Sequence, residues 1–175
     1  MRVIAGEFRS RKLKSLPGLE IRPTPDRLRE TLFDVLQPRI EGVVFVDAYA
    51  GTGAVGIEAL SRGAARAVFV EKDRRAVELI RQNVDALGLQ SRAKVAHGSV
   101  QLMLAANSGD IVFLDPPYDR EREYAVALEL LGENPPTLVV AQHSKFFDLA
   151  DDYGKLHRTR ALRQGDNVLS FYAAE

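Results

Sequence analysis

The chain has no cysteine, which excludes disulfides, thiolate metal sites and a cysteine nucleophile. Histidine is scarce as well: His97, His143 and His157 are the only three, and no two of them stand at metal-ligand spacing, so no metal site is expected. No apolar run approaches the roughly 18 residues that a bilayer crossing needs. The N-terminus is basic but lacks the apolar core of a signal peptide. Membrane and secretory roles are therefore not expected, and a cytoplasmic protein is. Repeats and low-complexity segments are also missing. What is present is a 175-residue chain, 46% hydrophobic and 27% charged, long enough to bury a sizeable core as a single domain. Nothing calls for a partner in folding, and a monomer is expected.

The formal net charge is zero, yet the charges are unevenly spread. Arg2, Arg9, Arg11, Lys12 and Lys14 face only Glu7 in the first 14 residues, and Lys155, Arg158, Arg160 and Arg163 cluster near the C-terminus. Such patches suit a polyanion such as nucleic acid, although a charged face is often simply solvated.

In chain order, residues 2–5 and 12–13 flank a charged tip and predict a short N-terminal β-hairpin arm; Pro17-Gly18 then breaks the chain. Arg22-Pro23-Thr24-Pro25 predicts an extended linker, with Thr24 as N-cap and Pro25 at the first helical position. Residues 1–21 thus form arm and linker, and 22–175 the core with its leading helix. Leu28, Leu32, Val35 and Leu36 predict an amphipathic helix over 26–37, with Arg27 and Arg29 on its other face. Strands are predicted over 43–46, 67–70, 93–96, 111–114 and 137–141, separated by helices that stop at Gly63 and Gly88, one around 102–104, and one that buries Tyr124, Leu128 and Leu131. Residues 156–162 and 168–173, around Gly165-Asp166-Asn167, predict a closing antiparallel hairpin. Alternating βα units give an α/β sheet with helices on both faces, and ligands in such sheets sit beyond the carboxyl ends of the strands. That edge collects Asp47, the loop from Gly51 to Gly56, Glu71, Gly98-Ser99, and the stretch from Asp115 to Tyr118.

Two of these features carry chemistry. Asp115-Pro116-Pro117-Tyr118 follows an apolar strand; each proline fixes its own φ and pushes the preceding residue toward extended backbone. An acceptor and a stacking ring in fixed relation suit a flat, amine-bearing ring, while the bland alternative is a strand ending at a turn. Gly51-x-Gly53-x-x-Gly56 with Glu71 at the end of the next strand fits a dinucleotide fingerprint, in which Glu71 would take the ribose hydroxyls. Asp47 would oppose a pyrophosphate but welcome the ammonium and sulfonium groups of S-adenosylmethionine. His143, at the end of the fifth strand, either touches substrate or is an ordinary strand-end histidine.

The segments Asp47-Ala-Tyr-Ala-Gly-Thr-Gly-Ala-Val-Gly-Ile-Glu-Ala-Leu-Ser-Arg-Gly-Ala64, Phe69-Val-Glu-Lys-Asp73, Asp115-Pro-Pro-Tyr118 and, most specifically, Arg22-Pro-Thr-Pro-Asp-Arg-Leu-Arg-Glu30 resemble the RsmD family of small-subunit ribosomal RNA guanine-N2 methyltransferases. The resemblance runs nearly end to end. It implies a class I S-adenosylmethionine-dependent methyltransferase fold, Rossmann-like and mostly parallel, with a C-terminal antiparallel hairpin and the N-terminal arm. It implies S-adenosyl-L-methionine as donor, held by Asp47, Ala50, Gly51, Gly53, Glu71, Lys72, Gly98 and Ser99. It implies catalysis by Asp115, Pro116 and Tyr118, and contact with 16S rRNA, within a small subunit or an assembly intermediate, through Arg9, Arg11, Lys12, Arg22, Arg27 and Arg29. The chain departs at Ser99, where relatives often carry an acidic residue near the adenine, and at Ala5-Gly6, which replaces a glycine pair. Rival readings are another amino-methyltransferase of the same acceptor type, acting on DNA adenine, another RNA base or protein glutamine, an oxidoreductase, and a non-enzymatic RNA-binding module that kept the fold.

Overall fold

The computed structural model describes residues 1–17, 24–117 and 120–174. Helix α1 (Asp26–Leu36) leads through a short 3₁₀ turn into an eight-stranded sheet. Its elements follow as β1 (Val44–Ala48), α2 (Ala54–Ser61), β2 (Arg66–Glu71), α3 (Arg74–Ala86), β3 (Ala93–His97), α4 (Val100–Ala106), β4 (Ile111–Leu114) and α5 (Glu121–Glu133), then β5 (Leu138–Ser144), β6 (Asp152–Tyr153), β7 (Leu156–Gln164) and β8 (Asn167–Ala173). The order across the sheet is β3-β2-β1-β4-β5-β8-β7-β6. The strands from β3 to β5 are parallel, and β8, β7 and β6 are antiparallel to their neighbours.

The nearly unbroken apolar strands follow from burial on both faces. Successive side chains alternate between two cores. Phe45, Phe69 and Phe113 pack with α1, α2 and α3 on one face. Val46, Val68, Val112 and Leu114 pack with α4 and α5 on the other. This is the α/β sheet with helices on both faces expected from the alternation of elements, and the Rossmann-like arrangement that the family resemblance implies.

Several boundaries move. Asp47 lies inside β1 rather than closing it, because β1 pairs with β2 as far as Ala48. Strand β5 runs to Ser144 instead of residue 141, since β8 continues to pair with it beyond the end of β4. Strand β6 has two residues, too few to show alternation. Thr24 does not cap α1: the N-cap is Pro25, and no side chain makes a capping hydrogen bond there.

The arm is a hairpin closed by an antiparallel bridge between Arg2 and Lys12, and it is docked rather than free. Fully buried Glu58 of α2 accepts the N–H groups of Ile4 at 2.8 Å and Ala5 at 3.0 Å, and an ion pair from Arg62 Nε at 2.8 Å. The Ser61 hydroxyl donates to Ala5 O and accepts from Phe8 N. Gly6 fits this approach at φ +82°; a Cβ there would stand 1.9 Å from Ser61 O.

Arg29 is a correction to the sequence reading. It is fully buried, not on an outer face, because it stands four residues before Phe33, within the wide core-facing stripe of α1. Its Nη2 donates to Arg2 O at 2.7 Å and to Asp26 Oδ1 at 3.0 Å, so it pins the arm and is not available to RNA. Arg27 is exposed.

Candidate functional site

Among the described residues, the strand-end features singled out in the sequence fall on the carboxyl edge of the parallel strands. The chain leaves β1 through Tyr49, which adopts φ +65°, a left-handed conformation costly for a residue with a Cβ. The Tyr49 hydroxyl donates to Glu123 Oε2 of α5 at 2.9 Å, which fixes the turn from the far side. Sequence reasoning passed over Tyr49; its position between Asp47 and the first glycine was the available signal. Ala50 N then donates to Val70 O, and Gly53 N to Ala50 O, with Gly51 and Gly53 at φ +55° and +78°. Gly56, in the first turn of α2, is required by contact: a Cβ there would lie 2.4 Å from Phe69 Cε1. The loop is therefore folded by its glycines into a tight, buried turn at the end of β1, with α2 packed close to β2.

Glu71 ends β2 and organises this loop. Its Oε2 accepts Gly51 N at 2.9 Å, and its Oε1 accepts Lys72 N and Asp73 N at 2.8 and 2.9 Å. The backbone carbonyl of Glu71 receives Gly98 N at 3.0 Å, which brings the β3–α4 turn alongside. Ser99 is the N-cap of α4 without a capping side-chain bond. Lys72 is exposed, and its carbonyl meets His97 Nε2.

Asp47 is placed differently from the sequence expectation. Its side chain is 2% exposed, beneath the loop, and Oδ2 accepts Gly56 N at 2.8 Å, so it anchors the first turn of α2. Burial pushes its carboxyl well above the ordinary 3.8, and the nearby Asp115 and Glu71 carboxylates push it further, against the Gly56 hydrogen bond.

Asp115 follows β4 directly, one residue past the register pair Ala48–Leu114, and is half-buried. Burial raises its carboxyl from 3.8 to about 7, opposed by a hydrogen bond from the Thr24 hydroxyl to Oδ2 at 3.3 Å. Pro116 is buried and Pro117 exposed. Tyr118 and Arg22 lie outside the described residues. Asp47, Glu71 and Asp115 together make this edge acidic, an environment that favours a cationic ligand and disfavours a pyrophosphate.

His143 is satisfied on both ring nitrogens, by Phe147 O at 2.7 Å and Ser170 Oγ at 2.9 Å, and is 3% exposed. The ordinary structural reading of this histidine holds. Among the basic residues, Arg9, Arg11 and Lys12 are exposed on the arm, with Arg11 Nη2 also donating to Ala86 O. In the C-terminal cluster Arg160 and Arg163 are exposed, whereas Arg158 is paired with Asp148 and Asp151.

A family model described as conserved hypothetical protein 95 matches residues 1–173. Ribosomal RNA small subunit methyltransferase D of Haemophilus influenzae is 37% identical over 154 residues, covering 83% of this chain and 79% of that protein. The solved structure of yhhF from Escherichia coli is 31% identical with a TM-score of 0.87, covering 100% of this chain and 98% of the other. An RNA methyltransferase of Salinibacter ruber, solved with S-adenosyl-L-homocysteine, is 19% identical, covers 87% of this chain and 93% of its own, and shares the fold at a TM-score of 0.66. The fold is thus that of class I S-adenosylmethionine-dependent methyltransferases, and the chain belongs to the conserved hypothetical protein 95 family, the RsmD family of methyltransferases.

Proposed function

We propose that this chain transfers a methyl group from S-adenosyl-L-methionine to the exocyclic N2 amine of a guanine in 16S ribosomal RNA. The observation that carries the reading is the Asp115 carboxyl, held at the end of β4 on an acidic edge beside the glycine loop. The similarity to ribosomal RNA small subunit methyltransferase D supplies the substrate class.

The donor supplies an electrophilic methyl on a sulfonium, with an ammonium in the same molecule. The residues present fit it. The loop through Ala50, Gly51 and Gly53 would meet the donor with compact backbone and no bulky side chain, and Glu71, which already accepts three N–H groups, keeps one lone pair on Oε2 for a ribose hydroxyl. Lys72, Gly98 and Ser99 would border the adenine. Asp47 contributes from below, through its charge and its hold on Gly56 rather than by exposed contact.

Guanine N2 is a weak nucleophile because its lone pair is delocalised into the ring. Asp115 and the Pro116 carbonyl would accept its two N–H bonds and localise that pair toward the methyl. As the N–C bond forms and the S–C bond breaks, the electron pair returns to sulfur and positive charge appears on nitrogen. Asp115 stabilises that charge and takes the departing proton, a role suited to a carboxyl poised at about 7. Tyr118 would stack on the base, a contact worth about 1–3 kcal/mol. The base must be unpaired or flipped to enter. Arg9, Arg11, Lys12 and Arg27, with Arg22, would meet phosphates, and the protein would act as a monomer in the cytoplasm on a small subunit or its assembly intermediate.

The test is transfer of tritiated methyl from S-adenosylmethionine to unmethylated small subunits, naked 16S rRNA and DNA. Label recovered as N2-methylguanine from ribosomal RNA is expected. Label confined to adenine or to DNA would overturn the base assignment.

A further inference from the structure

The segment most specific to the family, residues 22–30, enters the reaction so far only as phosphate contacts. Thr24 gives it a second role. Its hydroxyl lies 3.3 Å from Asp115 Oδ2, across 91 residues of sequence. The local alternative, capping α1, is not taken: Pro25 is the N-cap, with φ −53° and ψ 138°, and the hydroxyl makes no capping bond. The start of α1 is itself fixed. Leu28, Leu32 and Phe33 are buried in the core, Arg29 bonds Arg2 O, and the Thr31 hydroxyl reaches Gln164 of β7. A hydroxyl on such a support has one proton to give, and it gives it to one oxygen of the carboxylate.

We propose that Thr24 is a positioning residue for the methyl acceptor: it holds Asp115 Oδ2 so that the other oxygen is left, in a fixed orientation, to take the exocyclic amine. The inference deepens the methyl-transfer reading above and rests on it. Its chemical logic is that an acceptor must be both oriented and ionised. Asp47 lies nearby on β1, and its own carboxyl is raised in part by the Asp115 charge. On β5 the next register position holds the uncharged Gln142. On α5, Glu123 is taken up by the Tyr49 hydroxyl, and on α1 Asp26 is paired with Arg29. The Thr24 hydrogen bond is the contact that favours the charged form against burial. Losing it therefore costs orientation at every pH and ionisation near neutrality.

The experiment compares the full chain with Thr24→Val and Thr24→Ser. The Asp115 carboxyl is titrated by carbon-detected NMR, and single-turnover methyl transfer to small subunits is followed from pH 6 to 9. In Thr24→Val, Asp115 is expected to titrate at higher pH than in wild type. Its rate should fall roughly tenfold at pH 7, the scale of one hydrogen bond to a charged group, with the deficit narrowing toward pH 9. Affinity for S-adenosylmethionine should match wild type at pH 9, where Asp115 is ionised in both proteins, and Thr24→Ser should behave as wild type. An unmoved Asp115 titration in Thr24→Val, or a loss equal at every pH that serine does not rescue, overturns the proposal. A wild-type enzyme inactive on guanine with the titration shift intact would instead overturn the reaction and leave the contact standing.

Discussion

Asp115→Asn should make the protein inactive and more stable, with a gain that depends on pH in a defined direction. The wild-type carboxyl moves from an ordinary 3.8 to about 7 on folding, mainly because it is buried. Between those values the folded state holds a proton that the unfolded chain has released, so wild-type stability falls as pH rises through that window. Above pH 7 both states are ionised, and the cost is about 4 kcal/mol at about 1.36 kcal/mol per pKa unit. Asparagine does not titrate, but it leaves an amide to be satisfied, at about 1–3 kcal/mol. The expected net gain is therefore about 1–3 kcal/mol at pH 8, or roughly 3–10 °C in Tm for a chain of this size. Below 3.8 the carboxyl is protonated in both states and the gain vanishes. Asp47 pushes in the same direction, because removing the Asp115 charge relieves one cause of its own raised carboxyl. Thermal melts of both proteins at pH 4.5, 6 and 8 measure the difference. A Tm difference that does not change with pH, or an Asn variant less stable at pH 8, would refute the burial argument. An acceptor kept in a site that destabilises its charge is a stability cost accepted for function.

Three further outcomes follow from other contacts. Glu58→Ala removes the acceptor of Ile4 N and Ala5 N and the buried partner of Arg62, so it should cost about 3–5 kcal/mol and raise amide exchange across residues 2–13; an arm as protected as in wild type would contradict its assigned anchor. Replacing Arg9, Arg11 and Lys12 by alanine should lower the slope of log affinity against log salt for ribosomal RNA by about 2–3, and an unchanged slope would exclude the arm from the RNA interface. Binding of S-adenosylmethionine should release protons near pH 7, because a cation at this edge lowers the Asp115 carboxyl, which burial raises to about 7; calorimetry in buffers of different ionisation enthalpy would show it, and a buffer-independent enthalpy would speak against an acidic donor site.

What the sequence made legible was local. The strand ends, the glycine loop, Glu71 and Asp115 could be found because each sits at a fixed offset from an apolar strand, and the parallel fold then gathers them on one edge. The contacts that escaped are long-range: Glu58 to Ile4 spans 54 residues, and Thr24 to Asp115 spans 91. Arg29 was misread because the apolar pattern of α1 assigned a charged residue to the outside, although its position places it in the buried stripe. Glu58 did leave a trace, a lone carboxylate in a helix otherwise built of small and apolar residues. A buried ion needs compensation, so such a residue in an apolar helix should be searched for a docked backbone.

These long-range contacts also change how arm and core relate. The sequence divides them at a proline-rich linker, yet α2 carries both the glycine loop at its start and the arm's anchors, Glu58 and Ser61, further along. Buried Asn83 of α3 adds a second tie: its Oδ1 accepts Lys14 N at 2.7 Å, and its Nδ2 donates to the carbonyls of Lys14 and of Thr52 in the loop. An RNA that pulls on the arm therefore loads the same helix whose first turn shapes the donor site. Asn83→Ala should accordingly weaken donor binding although Asn83 carries no charge and is buried. Unchanged affinity for S-adenosylmethionine in that variant, with the fold intact, would show that arm and loop are mechanically independent.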